Sequence, residues 1–92
     1  MTYRFDLQTG AELSTIFFQG RLDRSALSEL ETHCRTLKRR GLSVRVLLGA
    51  GTTVEIEVLD LLAHIEGIVL EADSPFLSRW IRSCRDNNGA GR

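Results

Sequence analysis

Leu13-Ser14-Thr15-Ile16-Phe17-Phe18-Gln19-Gly20-Arg21-Leu22-Asp23-Arg24-Ser25-Ala26-Leu27-Ser28-Glu29-Leu30 changes its period partway along. Leu13 to Gln19 is rich in β-branched and aromatic residues, which predicts a strand. Ile16, Phe17 and Phe18 are too apolar together for an edge facing water, and Gly20 is expected to close the strand. Asp23 then reads as a helix N-cap, because its carboxylate can accept from backbone N–H groups left free in the first turn. Leu22 before the cap and Leu27 after it have the spacing of a hydrophobic staple. Ala26, Leu27, Leu30, Cys34 and Leu37 share one face at helical spacing. Lys38, Arg39 and Arg40 fall in the last turn, where the helix dipole favours cations, and Gly41 supplies the stop.

On the N-terminal side, Tyr3, Phe5 and Leu7 alternate with Arg4 and Asp6, the pattern of a half-buried strand, and Gln8-Thr9-Gly10 reads as a turn. On the C-terminal side, Leu42 to Leu48 is a third strand with Val44, Val46 and Leu48 on one side, followed by the flexible connection Gly49-Ala50-Gly51. Thr52 to Ile65 reads two ways. Val54, Val58, Leu61, Leu62 and Ile65 fit a helix face, while Thr53 to Val58 also alternates with period two. A helix beginning near Val54 is the preferred expectation. Gly67 to Glu71 is a short strand. Ser74 as N-cap and Pro75 at the first helical position open the last helix. Its expected buried face is Phe76, Leu77, Trp80, Ile81 and Cys84, with Arg79, Arg82 and Arg85 outside. The fold class is therefore α/β. A small mixed sheet of about four strands carries packed helices, in the order β-β-α-β-α-β-α. Residues 1–85 form one expected domain, and 86–92 a flexible, polar, Gly-rich C-terminal tail.

Composition narrows the function classes. In 92 residues, 42% are hydrophobic and 26% charged, a globular balance rather than a disordered one. Twelve basic and twelve acidic residues cancel. Nucleic-acid binding is disfavoured, because phosphate neutralisation calls for a basic excess. Cys34 and Cys84 stand in neither a CxxC nor a Cys/His cluster, so no zinc spacing arises. Buried free thiols are expected, with a structural disulfide as the alternative. The start, Met1-Thr2-Tyr3-Arg4-Phe5-Asp6, has no apolar core of a signal peptide, and no apolar run approaches the roughly 18 residues of a membrane span. A cytoplasmic location is expected.

Little in the chain suggests catalysis, a metal or a cofactor. His33 and His64 have no Ser, Cys or carboxylate at a catalytic spacing. Adjacent helical residues point about 100° apart, so His33 and Cys34 cannot act as a dyad. Gly49-Ala50-Gly51-Thr52-Thr53 lacks the lysine and spacing of a phosphate-binding loop. Glu55, Glu57, Asp60 and Glu66 make the central segment acidic. A solvated face accounts for this, and an acidic rim for a basic partner surface is the functional alternative.

Gly20 to Leu30 resembles the G-x-L-D-x-x-S-A-x-x-L opening of STAS domains, the anti-sigma-factor antagonist family. Ser74-Pro75-Phe76-Leu77-Ser78-Arg79-Trp80-Ile81 is similar to the family's final strand-to-helix junction, and the resemblance covers residues 13–84. It implies a non-catalytic protein-interaction module whose partner is an anti-sigma factor or kinase-like regulator. It also implies a phosphorylatable Ser or Thr, in D-S-x-G, at the start of the second helix. An ungapped count from Val44 puts Glu55 at the Asp, Ile56 at the Ser and Val58 at the Gly. Isoleucine has no hydroxyl, so the phospho-switch is missing, with Thr52 and Thr53 as nearby hydroxyls. The segment Leu59 to Gly67 is also shorter than the family's second helix and connection. The docking surface carried over by position is Thr52, Thr53, Glu55, Ile56 and Glu57, where Ile56 is either an exposed contact or core. The alternative function is a homodimeric structural or assembly subunit of a larger regulatory or transport complex.

Overall fold

Among the described residues, five strands form a mixed sheet and three helices pack on it, in the order β-β-α-β-β-α-β-α. The computed structural model describes residues 3–90, with side-chain surroundings described through Ser83. The elements are β1 (Tyr3–Thr9), β2 (Leu13–Leu22), α1 (Arg24–Arg39), β3 (Ser43–Leu48), β4 (Thr53–Val54), α2 (Ile56–Ala63), β5 (Ile68–Ala72) and α3 (Pro75–Ala90). The sheet order is β1-β2-β3-β5, with β4 pairing the far end of β2. β1 is antiparallel to β2, and β2, β3 and β5 are mutually parallel.

Register decides which side of the sheet is core. Ile16 pairs Val46, which pairs Leu70, and Phe18 pairs Leu48, which pairs Ala72. Strand side chains alternate, so these residues share one face. Both crossovers, β2-α1-β3 and β3-α2-β5, step the same way across the sheet. Their common right-handedness puts the helices on that same face. One core cluster joins Ile16, Phe18, Val46 and Leu48 to Leu30 of α1, Leu59 and Leu62 of α2, and Ile81 of α3. The opposite face carries Thr15, Phe17, Arg45, Leu47, Val69 and Glu71, and none of them is fully buried.

α1 forms as its sequence dictates. Asp23 is extended, and its Oδ1 accepts from the Ala26 N–H at 3.0 Å. The buried residues are Ala26, Leu27, Leu30, Cys34 and Leu37. Gly41 takes φ +82°, the left-handed conformation that stops a helix at low cost. Asp23→Ala is expected to cost about 1 kcal/mol. A melt followed by circular dichroism should fall by roughly 4–8 °C, while Asp23→Asn keeps most of the stability.

Several expectations are corrected. β2 does not end at Gly20. It runs to Leu22, with Gly20 inside it at φ +118°, a backbone shape that strongly favours glycine. At that kink β2 changes partner, since pairing with β3 ends at Phe18 and Arg21–Leu22 pair Thr53–Val54 instead. The same pairing divides the ambiguous segment. Thr53–Val54 becomes strand, so α2 starts at Ile56 rather than near Val54, and the sheet has five strands rather than about four. With that phase α2 buries Val58, Leu59 and Leu62 and leaves Leu61 exposed. In α3, Leu77 and Ile81 are buried and Trp80 packs against the core, but Phe76 is 69% exposed. The helix is rolled so that Leu77 meets the sheet, which carries Phe76, about 100° round the axis, into solvent. α3 runs from Pro75 through Ala90. The expectations for the Cys84 and Arg85 side chains lie outside the described residues.

Candidate functional site

Each helix follows a parallel strand and runs back against it. The N-termini of α1, α2 and α3 therefore gather at the carboxyl edge of β2, β3 and β5. α3 packs beside α2. Helical spacing and the right-handed crossovers put Ile56 on the flank of α2 toward α3, and Phe76 and Trp80 on the flank of α3 toward α2.

The five residues expected at the docking surface divide four to one. Thr52 is buried, and its Oγ1 donates to the Phe18 carbonyl at 3.3 Å. That hydroxyl ties the loop to β2 and is not presented to a partner. Thr53, Glu55, Ile56 and Glu57 are exposed. Glu55 is the extended cap residue of α2, with no side-chain cap bond. Its Oε2 lies 3.9 Å from Arg21 Nη2, and both side chains are more than half exposed. Such a pair contributes little. Glu57 is the acidic residue of the first turn, where the dipole favours it. Ile56 is 59% exposed, which decides between contact and core in favour of an exposed side chain. Phe76 is the residue that the hydrophobic periodicity assigned to the wrong side. Its ring stands over Trp80, with centroids 5.5 Å apart. The available signal was its place beside Pro75 in the first turn, where a helix can overhang the sheet.

The remaining candidates have structural explanations. The Gly49 N–H donates to the Phe18 carbonyl at 2.8 Å, and the Thr52 N–H to the Gly49 carbonyl at 3.0 Å. A Cβ on Gly49 would stand 3.1 Å from Phe17 Cζ, so the glycine makes room for that ring. His33 sets its ring against Phe5, with centroids 5.2 Å apart. His64, at the end of α2, has Nδ1 2.6 Å from the Asp60 carbonyl oxygen. The Lys38 ammonium donates to the Glu66 carbonyl, bridging the end of α1 to the turn before β5. Among the described residues, no group of three or more His, Cys, Asp or Glu is placed to hold a metal ion. No helix among them is long and apolar enough to cross a membrane.

Cys34 is buried and free, and burial pushes its thiol above the ordinary range. The folded state thus disfavours thiolate. The stabilising effect is fully present below the thiol's unfolded pKa and is lost as pH rises through the raised folded one. At neutral pH Cys34 should resist alkylation by iodoacetamide until denaturant is added, as read by mass spectrometry of the peptide containing it. Labelling of the native chain at the unfolded rate would refute this.

No protein-family model matches the chain, and no curated protein matches it.

Proposed function

We propose that this chain is a non-catalytic, cytoplasmic protein-interaction module of STAS-like character, docking through the start of α2 and lacking the phosphorylatable residue of sigma-factor switches. The observation that carries this reading is the exposure of Ile56 at the first position of α2. Helix formation does not require an apolar residue there. Glu55 and Glu57 flank it, and exposed Phe76 stands at the start of the adjacent helix. An apolar centre inside a charged rim is the anatomy of a contact patch. Such a patch suits an anti-sigma factor or kinase-like regulator that presents apolar and basic groups. The G-x-L-D-x-x-S-A-x-x-L and Ser74-Pro75 motifs favour the same class. The test is capture of an anti-sigma-type kinase from the same cells by the wild-type chain and by the Ile56→Asp, Glu57→Lys double variant. Loss of capture by a folded variant supports the reading, and retained capture overturns it.

The bare side of the sheet favours a second reading. Parallel strands are usually covered on both faces, yet Phe17, Leu47 and Val69 lie on the uncovered side of β2, β3 and β5. This suits an assembly subunit or homodimer that covers the face with another chain. Light scattering at micromolar concentration separates the two readings, because a stable dimer favours the second.

A further inference from the structure

We infer that the outer edge of β1 is an interface for a second copy of this chain, which adds its own β1 antiparallel about Phe5 and continues the sheet across a two-fold axis. The edge is separate from the start of α2 and from the bare face, and the inference rests on neither reading above.

β1 is the end strand and pairs only with β2. That register is unbroken from Tyr3 to Thr9, and the strand holds no lysine, proline or bulge, devices that keep an edge from pairing. The Gly10 N–H donates to the Leu13 carbonyl at 2.8 Å, which makes these two a hydrogen-bonded pair at the end of the hairpin. Alternation then turns the main-chain groups of Arg4, Asp6 and Gln8 toward β2, and those of Tyr3, Phe5 and Leu7 outward. The outward groups of Phe5 and Leu7 have no partner among the described residues. α1 packs chiefly over β2 and β3 and leaves the edge clear. Leu7, although on the helix side of the sheet, is 43% exposed there. Donors and acceptors at strand spacing are complemented by another extended backbone.

Charge selects both the occupant and its register. Arg4 and Asp6 lie on one face of β1, with Nε and Oδ2 3.8 Å apart, and are too exposed to hold each other firmly. Read antiparallel, this basic–acidic order is its own complement. Pairing about Phe5 sets Arg4 of each copy opposite Asp6 of the other, in the non-hydrogen-bonded pairs where side chains come closest. The same register lays Tyr3 of each copy against the exposed Leu7 of the other, and Phe5 against Phe5. Pairing about Asp6 would instead oppose two carboxylates, and pairing about Leu7 would leave Arg4 opposite Gly10. The formal net charge of the chain is zero, so two copies meet without long-range repulsion. The contact is isologous and closes at two copies.

The test follows the full chain by sedimentation from micromolar to millimolar concentration, with backbone amide exchange measured alongside. A weak monomer–dimer equilibrium is expected, as suits a small interface. The Phe5 and Leu7 amides should exchange more slowly as concentration rises, while those of Arg4 and Asp6, already bonded to β2, should not change. Arg4→Asp and Asp6→Arg are surface changes, and each turns both symmetry-related pairs from attraction to repulsion. Each alone should weaken self-association by about tenfold. Mixed together, the two variants should associate at wild-type strength, because each presents the charges that the other lacks. A chain that stays monomeric throughout would overturn the proposal. So would a dimer that leaves the Phe5 and Leu7 amides exchanging as in the monomer, as one held by the bare face would, or a mixture that associates no better than its components.

Discussion

Phe18→Ala should lower the melting temperature by roughly 12–40 °C. Phe18 is fully buried on β2, between β1 and β3, with ring centroids 5.3 Å from Phe5 and 5.9 Å from Tyr3. Removing a buried phenyl ring costs about 3–5 kcal/mol, from lost transfer energy and the cavity left behind. A domain of this size holds only about 5–14 kcal/mol in total, and each kcal/mol moves the midpoint by roughly 4–8 °C. The control is the neighbouring residue. Phe17 lies on the bare face and is only half-buried, so Phe17→Ala should cost roughly 1–2 kcal/mol by lost area. Urea titration measures both. Equal losses would mean that the two faces of β2 are not distinguished as the register requires, and that the bare face is covered by something that stabilises the fold.

The contrast between these adjacent phenylalanines marks where local sequence stops being informative. α1 was readable in full because cap, apolar stripe, basic last turn and glycine stop all agree on one element. Val44, Val46 and Leu48 were readable as one side of β3 because strand alternation requires no tertiary knowledge. Ile16-Phe17-Phe18 is uniformly apolar, so nothing local says that Phe17 faces away from the helices. Thr53 to Val58 carried both periods, and both are used. The period-two part pairs with Arg21–Leu22, a partner more than thirty residues away, and that pairing fixes where α2 can begin. Phe76 was misassigned because spacing defines an apolar stripe but not its roll against the sheet, which Leu77 and Ile81 settle. At the candidate site, Glu55, Ile56 and Glu57 were legible as a charged and apolar trio. The exposure of Ile56 was not, because isoleucine at a helix start is equally compatible with core and surface until the phase of α2 is known. Thr52 looked like its neighbour Thr53 and differs only through its bond to the Phe18 carbonyl.

Ile56→Asp combined with Glu57→Lys should weaken capture of the partner by at least about a hundredfold while leaving the melting temperature within a few degrees of wild type. The two halves rest on different observations. Stability is spared because Ile56 is 59% exposed and Glu57 stands in solvent, and surface changes of this kind usually stay within roughly 0.5 kcal/mol. Aspartate in the first turn of α2 also suits the dipole, offsetting the lysine at the next position. Binding is not spared. An apolar anchor at the centre of an interface is typically worth about 2 kcal/mol or more, and a charge placed there must be desolvated without a partner. Reversing Glu57 adds repulsion toward basic groups on the other side. Losses of about 3 kcal/mol correspond to a factor above a hundred. The single variants apportion the effect. Ile56→Asp alone should carry most of it and be insensitive to salt. Glu57→Lys alone should cost less and fade as ionic strength rises, because a rim charge is screened over roughly 8–10 Å. A double variant that melts like wild type yet captures the same kinase-type partner equally well would remove the start of α2 from the docking surface. A salt-independent loss from Glu57→Lys alone would move that carboxylate from the rim of the patch to its desolvated centre.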